Sequence, residues 1–202
     1  MQWKATALLA LKCFFEGVLF NPEGISLLRR SLAGVPGWRH DPSIARGLTL
    51  LDGSSGKEEE YDFTRLFIGP GRLPAPPYAS AYRSTERLLM QEETLAVRQF
   101  YRRYGLAARE EGSVPDDFLP VELEFLVYLL ALTGRSLERG DGKAGTYRQA
   151  YRRFLRRHML PWIDFFAGDI IQHARTRLLT GIGVLLPAVI RREAGGLLEN
   201  KA

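Results

Sequence analysis

The sequence predicts an all-α fold, a single compact multi-helix bundle forming one domain over residues 1–202. Three observations predict it. Helix formers are abundant and runs of β-branched residues few, in a chain that is 46% hydrophobic and 25% charged. Apolar residues recur at helical spacing, as in Val97, Phe100, Tyr101 and Tyr104, and again in Tyr147, Tyr151, Phe154, Leu155 and His158. Proline and glycine then cut the chain into segments whose connections are short, as in a bundle. At 202 residues the chain buries a substantial core without metal or disulfide support.

The first helix covers residues 3–20 and is stopped by Asn21-Pro22, because proline lacks an N–H and pushes its predecessor out of the α region. A second occupies 25–32, ended by Gly34 and Pro36. Ser43 caps a third that runs to residue 51, and a Gly/Ser turn at 52–56 leads into a fourth at 57–67 with acidic residues in its first turn. Residues 94–104 form an amphipathic helix. Pro120 opens a helix at 121–132 that is apolar nearly all round, hence central and buried. After a polar turn at 140–145, helices follow at 146–159, where Pro161 interrupts, at 162–179 and at 183–198.

Two connections are longer. Residues 69–81 hold Gly69-Pro70-Gly71 and then Pro74, Pro76 and Pro77, too poor in donors for helix or sheet interior. Their apolar flanks, Phe63, Leu66, Phe67, Tyr78 and Tyr82, mark an ordered loop rather than a tether. The second connection, residues 105–119, is acidic and hinge-like.

Composition excludes several classes of function. Cys13 is the single cysteine and lies in an apolar run, so neither an intramolecular disulfide nor a thiolate metal site is available, and a reducing compartment fits. Lys12 and Glu16 interrupt the apolar N-terminal run and no small-residue cleavage site follows, which argues against a signal sequence. The apolar stretch 178–190 is shorter than the roughly 20 residues that span a bilayer. These features predict a cytoplasmic protein with no membrane insertion. The three histidines lack the i, i+4 pairing of a helical zinc site, and no phosphate loop, nucleophile elbow or Cys/His pair is present. The expectation is therefore no enzyme, no metal and no cofactor.

Net charge is +5, and only five of the 28 basic residues are lysine. An Arg-rich face within 146–157 admits an alternative function as a helical nucleic-acid-binding protein, although a solvated face is the favoured reading of those arginines. More informative is the run from Glu110 to Glu124, with six carboxylates (Glu110, Glu111, Asp116, Asp117, Glu122, Glu124) and no basic residue. It reads either as caps and surface ion pairs or as an acidic rim beside an apolar floor of Phe67, Tyr78 and Tyr82. The second arrangement suits a peptide with arginines and an apolar segment, since carboxylates take guanidinium groups bidentately and aromatic faces take apolar side chains.

Three blocks resemble the TorD/DmsD family of redox-enzyme maturation chaperones. The first runs from Tyr61 through Leu66-Phe67 and Gly69-Pro70-Gly71 to Pro76-Pro77-Tyr78-Ala79-Ser80-Ala81-Tyr82. The second is Pro115-Asp116-Asp117 running into Glu122-Leu123-Glu124-Phe125, with Asp117 where the family usually has His. The third is Phe154-Leu155, His158 and Pro161-Trp162. The family's usual arginine after the first block's aromatic is replaced by Thr85, with Arg83 nearby. The resemblance implies an all-helical chaperone that binds the twin-arginine signal peptide, or the apo catalytic subunit, of a molybdopterin oxidoreductase before export or assembly, as a monomer or a domain-exchanged dimer. The contact set it implies is Phe63, Leu66, Phe67, Gly71, Pro76, Pro77, Tyr78, Ser80, Tyr82, Pro115, Asp116, Asp117, Glu122, His158 and Trp162.

Overall fold

Residues 2–52, 56–83, 92–106 and 115–195 are described by the computed structural model, and every regular element among them is helical. An isolated antiparallel bridge between Tyr78 and Phe118 is the one strand-like contact in this set. Thr85, Glu110, Glu111 and the centre of the expected turn at 52–56 lie outside the described residues.

Helix α1 (Gln2–Phe15) is shorter than its apolar run suggests. Gly17 adopts φ +78°, its N–H donates to the Phe14 carbonyl at 2.9 Å and the Val18 N–H to Cys13 at 3.2 Å. This paired closure ends the helix with a left-handed glycine five residues before Pro22. Pro22 instead opens α2 (Pro22–Ala33), where its missing donor costs nothing and the Asn21 carboxamide oxygen accepts the Gly24 N–H at 2.7 Å. Helix α3 (Pro42–Leu50) is capped by Asp41 rather than Ser43, the Asp41 carboxylate accepting the N–H groups of Ser43 and Ile44. Helix α4 (Lys57–Phe67) has the expected bounds, with the Glu59 carboxylate accepting the Gly56 N–H at 2.9 Å.

After the Pro-rich loop come a single turn, α5 (Ser80–Arg83), and α6 (Glu92–Arg102). The central helix α7 (Leu119–Arg139) is nearly twice its expected length, because the apolar stretch continues into a polar turn that stays helical until left-handed Gly140. Helix α8 (Ala144–Phe154), a π turn at Leu155–Met159 and α9 (Leu160–His173) follow without a break. Pro161 does not interrupt this run. The Leu160 N–H bonds Leu155, five residues back, so the wide turn places the proline in a fresh first turn where no donor is needed.

The expected helix 162–179 is broken after His173 by a distant carboxylate. Buried Asp62 on α4 accepts the N–H groups of Arg175 and Thr176 at 2.7 and 2.9 Å and the Thr176 hydroxyl at 3.1 Å. Helix α10 (Arg177–Gly195) starts there and runs through Gly181 and Gly183, which serve close packing rather than a helix boundary. A Cβ at Gly181 would lie 2.8 Å from Leu50 Cβ, and one at Gly47 would lie 2.7 Å from Leu185 Cβ. The pair lets α10 press on α3, while its other side packs on α9 and α1 packs on α2 and α7. One hydrophobic cluster links these helices, and Glu193 crosses it, taking the Tyr151 hydroxyl at 2.9 Å and the Lys4 ammonium at 2.8 Å.

Candidate functional site

The Pro-rich loop following α4 is pinned at both ends by backbone bonds. The Ala75 N–H donates to Leu66 at 3.3 Å, the Ala79 N–H to Asp117 at 3.1 Å, and the Leu119 N–H to Pro77 at 3.0 Å. Tyr78 stacks on Phe118 at 5.1 Å, and exposed Gly71 makes its turn at φ +97°. Asp117 is the latch. Its carboxylate, fully buried, accepts the Ser80 N–H at 2.6 Å and the Thr94 hydroxyl at 2.6 Å, tying the start of α7 to α5 and α6. A buried anion with strong donors on both oxygens is a fixed structural tie. Its field and burial together push the Tyr78 phenol above its ordinary pKa, burial being the larger cause.

Asp116 is equally enclosed. Its Oδ2 is gripped by Arg98 at 2.8 Å from Nε and 2.7 Å from Nη2, and its carbonyl accepts the Tyr101 hydroxyl at 3.0 Å. The expected acidic rim is therefore not an open edge: Asp116 and Asp117 are both buried and engaged within the fold. Thr94 and Arg98 were absent from the candidate set. Four residues apart, they share one face of α6, and that spacing opposite an Asp-Asp pair was the available signal.

The apolar floor is also deeper than expected. Phe63, Leu66 and Phe67 are buried core residues, with Phe63 and Phe67 packed edge to face at 4.9 Å and Phe67 against Phe15 and Phe166. Pro77 and Pro115 are buried, and Pro76, Tyr78 and Tyr82 half-buried. Phenylalanine and leucine at helical spacing have no polar atom that needs water, so they withdraw completely, leaving the tyrosines at the surface.

Tyr82 lies over Trp162 at 5.9 Å with rings 23° from parallel. Close in sequence or in field to this pair, Ser80 Oγ, both Glu122 oxygens, His158 Nδ1 and Trp162 Nε1 are buried with no hydrogen-bond partner. The Trp162 N–H bears favourably on the Glu122 carboxyl, but too loosely to close a hydrogen bond. Burial, and then repulsion from Asp117, hold the Glu122 pKa well above the usual carboxylate range, partly offset by Arg83. His158 stacks on Phe154 at 5.0 Å and meets Phe100 edge to face at 5.4 Å. Its pKa falls to about 4, first through burial and then through Arg83, Arg157 and Arg103. At neutral pH the His158 imidazole is uncharged in the folded chain.

Among the remaining arginines, Arg148, Arg153, Arg156 and Arg157 are exposed and Arg152 is half-buried, with Arg156 donating to the Ala194 carbonyl at 3.2 Å. Among the described residues no cluster of three His, Cys, Asp or Glu side chains is placed to hold a metal ion, and no helix is long and apolar enough to cross a membrane.

Residues 42–168 match the nitrate reductase delta subunit family. The chain is 30% identical over 154 residues to the chaperone protein TorD of Aliivibrio fischeri, covering 74% of this chain and 71% of that one. It is 32% identical over 121 residues to the Tat proofreading chaperone DmsD of Salmonella paratyphi A, covering 60% of this chain and 53% of the relative. In fold it is similar to a crystal structure assigned to a redox enzyme maturation protein from Archaeoglobus fulgidus, at TM-score 0.54 and 17% identity over 92% of this chain and 93% of that one.

Proposed function

As the chain belongs to the nitrate reductase delta subunit family, with TorD and DmsD chaperones among its relatives, we propose that it is a non-catalytic cytoplasmic chaperone for a redox-enzyme precursor. It binds the twin-arginine leader, or the apo form of a molybdopterin-containing subunit, ahead of export or assembly. The observation that carries this reading is the stack of half-buried Tyr82 on fully buried Trp162, together with neighbouring buried polar atoms that the fold leaves unpaired. Aromatic faces accept the leader's apolar segment, and the polar atoms accept its cationic or backbone groups. Gly71, Pro76 and Tyr78 form the outer lip. Phe63, Leu66, Phe67, Pro77 and Pro115 support it from below, and Asp116 and Asp117 set its shape from within the fold.

The relatives' names support the class of client: one is a Tat proofreading chaperone and another a chaperone protein. Isothermal titration with a peptide holding paired arginines followed by an apolar run tests the reading. Binding that weakens with salt yet keeps an apolar component is expected. No heat and no co-purifying oxidoreductase precursor would sink it.

A further inference from the structure

We propose that Glu122 is the receptor for a client guanidinium group, and that the arginine enters beneath Tyr82 to pair with both of its carboxyl oxygens. This rests on the peptide-binding reading above and changes which residue does the recognising. Three carboxyl side chains lie together at the start of α7. Asp117 is filled by Ser80 and Thr94, and Asp116 is held by Arg98. Glu122 is the one of the three with neither oxygen paired, and it is fully buried. An unpaired buried carboxyl is costly, and two orphaned oxygens on one planar group match the paired donors of a guanidinium.

The surroundings favour a cation with a flat face. Tyr82 stacks nearly parallel on Trp162, whose indole N–H bears on the Glu122 carboxyl, and a guanidinium against such a ring face gains cation–π energy. Asp117, whose charge bears on Glu122, adds a buried negative charge beside it. Arg83, Arg103 and Arg157 bear on His158 and would attract an anion instead, but Arg83, Arg103 and Arg157 are exposed and screened. An anion would have to lie close to buried Asp117, where repulsion is least screened. A guanidinium arriving from the client favours the ionised carboxylate and so opposes the burial that raises the Glu122 pKa, and binding releases protons wherever the free carboxyl still carries its own.

The test compares a paired-arginine leader peptide with the same peptide carrying citrulline, the neutral isostere of arginine, against wild type, Glu122→Gln and Asp116→Asn. The wild type is expected to prefer the arginine peptide by at least about tenfold, a difference of about 1.4 kcal/mol. In Glu122→Gln that preference collapses while the residual affinity for the citrulline peptide remains. Titration in buffers of differing ionisation enthalpy shows proton release for the wild type and none for Glu122→Gln, a readout that a packing defect does not mimic. A preference retained in Glu122→Gln and lost in Asp116→Asn overturns the assignment and leaves the chaperone reading intact. Thermal stabilisation of the free protein by millimolar inorganic phosphate, abolished in Glu122→Gln, would overturn it in favour of an anion site. Failure of the wild type to bind either peptide overturns both.

Discussion

Replacing His158 with phenylalanine isolates one titration and gives a signed, sized expectation. The imidazole is only 4% exposed and sits between Phe154 and Phe100, so a phenyl ring keeps both ring contacts and removes the proton site. The folded pKa is about 4 against an ordinary 6.5, so between those values the unfolded chain binds more protons than the folded one. Stability therefore falls as pH drops from 6.5 and stops falling, for this group, near 4. At about 1.4 kcal/mol per unit the drop has a ceiling of about 3 kcal/mol, and screening of the three guanidinium fields lowers it to about 2 kcal/mol. The assay is urea unfolding followed by far-UV circular dichroism, at half-unit steps from pH 7.5 to pH 4, on wild type and His158→Phe. Other carboxylates titrate identically in both proteins, so the difference between them carries the His158 contribution. The variant should gain about 2 kcal/mol relative to wild type across that interval. Parallel curves would show that the ring titrates normally and lies in water, refuting the buried placement.

Other expectations follow from single contacts. Glu122→Gln should raise stability at pH 7 to 8 and leave it nearly unchanged at pH 4, because a raised carboxyl pKa contributes stability below its unfolded value that is lost as pH rises through the folded value; a pH-independent offset in chemical denaturation would contradict this. Asp117→Ala removes the acceptor for Ser80 N–H and Thr94 Oγ and should cost about 3 kcal/mol, with faster amide exchange at Ala79 and Ser80. Asp116→Asn should cost about 1 to 3 kcal/mol by loosening Arg98, and the loss should vanish when Arg98 is also replaced by Met in a double-mutant cycle. Gly181→Ala forces a Cβ to 2.8 Å from Leu50 Cβ and should lower stability by about 1 to 3 kcal/mol, read as a reduced urea midpoint with unchanged slope.

The all-helical class, the bounds of α4 and the starts of α7 and α8 were legible because apolar spacing and proline or glycine punctuation act over a few residues. The match of motif blocks to a family was likewise a linear property, and residues 42–168 bear it out at the family level. The breaks that misled were made by distant partners or by backbone closure. Asp62 on α4 ends α9 by taking the N–H groups of Arg175 and Thr176, and the turn at Gly17 ends α1 inside an apolar run. Pro161 looked like a stop because its missing donor was charged against a normal α-turn, whereas a π turn absorbs it. Within the candidate site the sequence showed which carboxylates were present but not which were already spent. Only the tertiary structure paired Asp116 with Arg98 and Asp117 with Thr94 and Ser80, and left Glu122 unpaired. Residue type sets what a side chain can bind, and local order sets which helix carries it. Whether its hydrogen-bonding capacity remains for a client depends on groups brought together across the fold, and no window of sequence contains them.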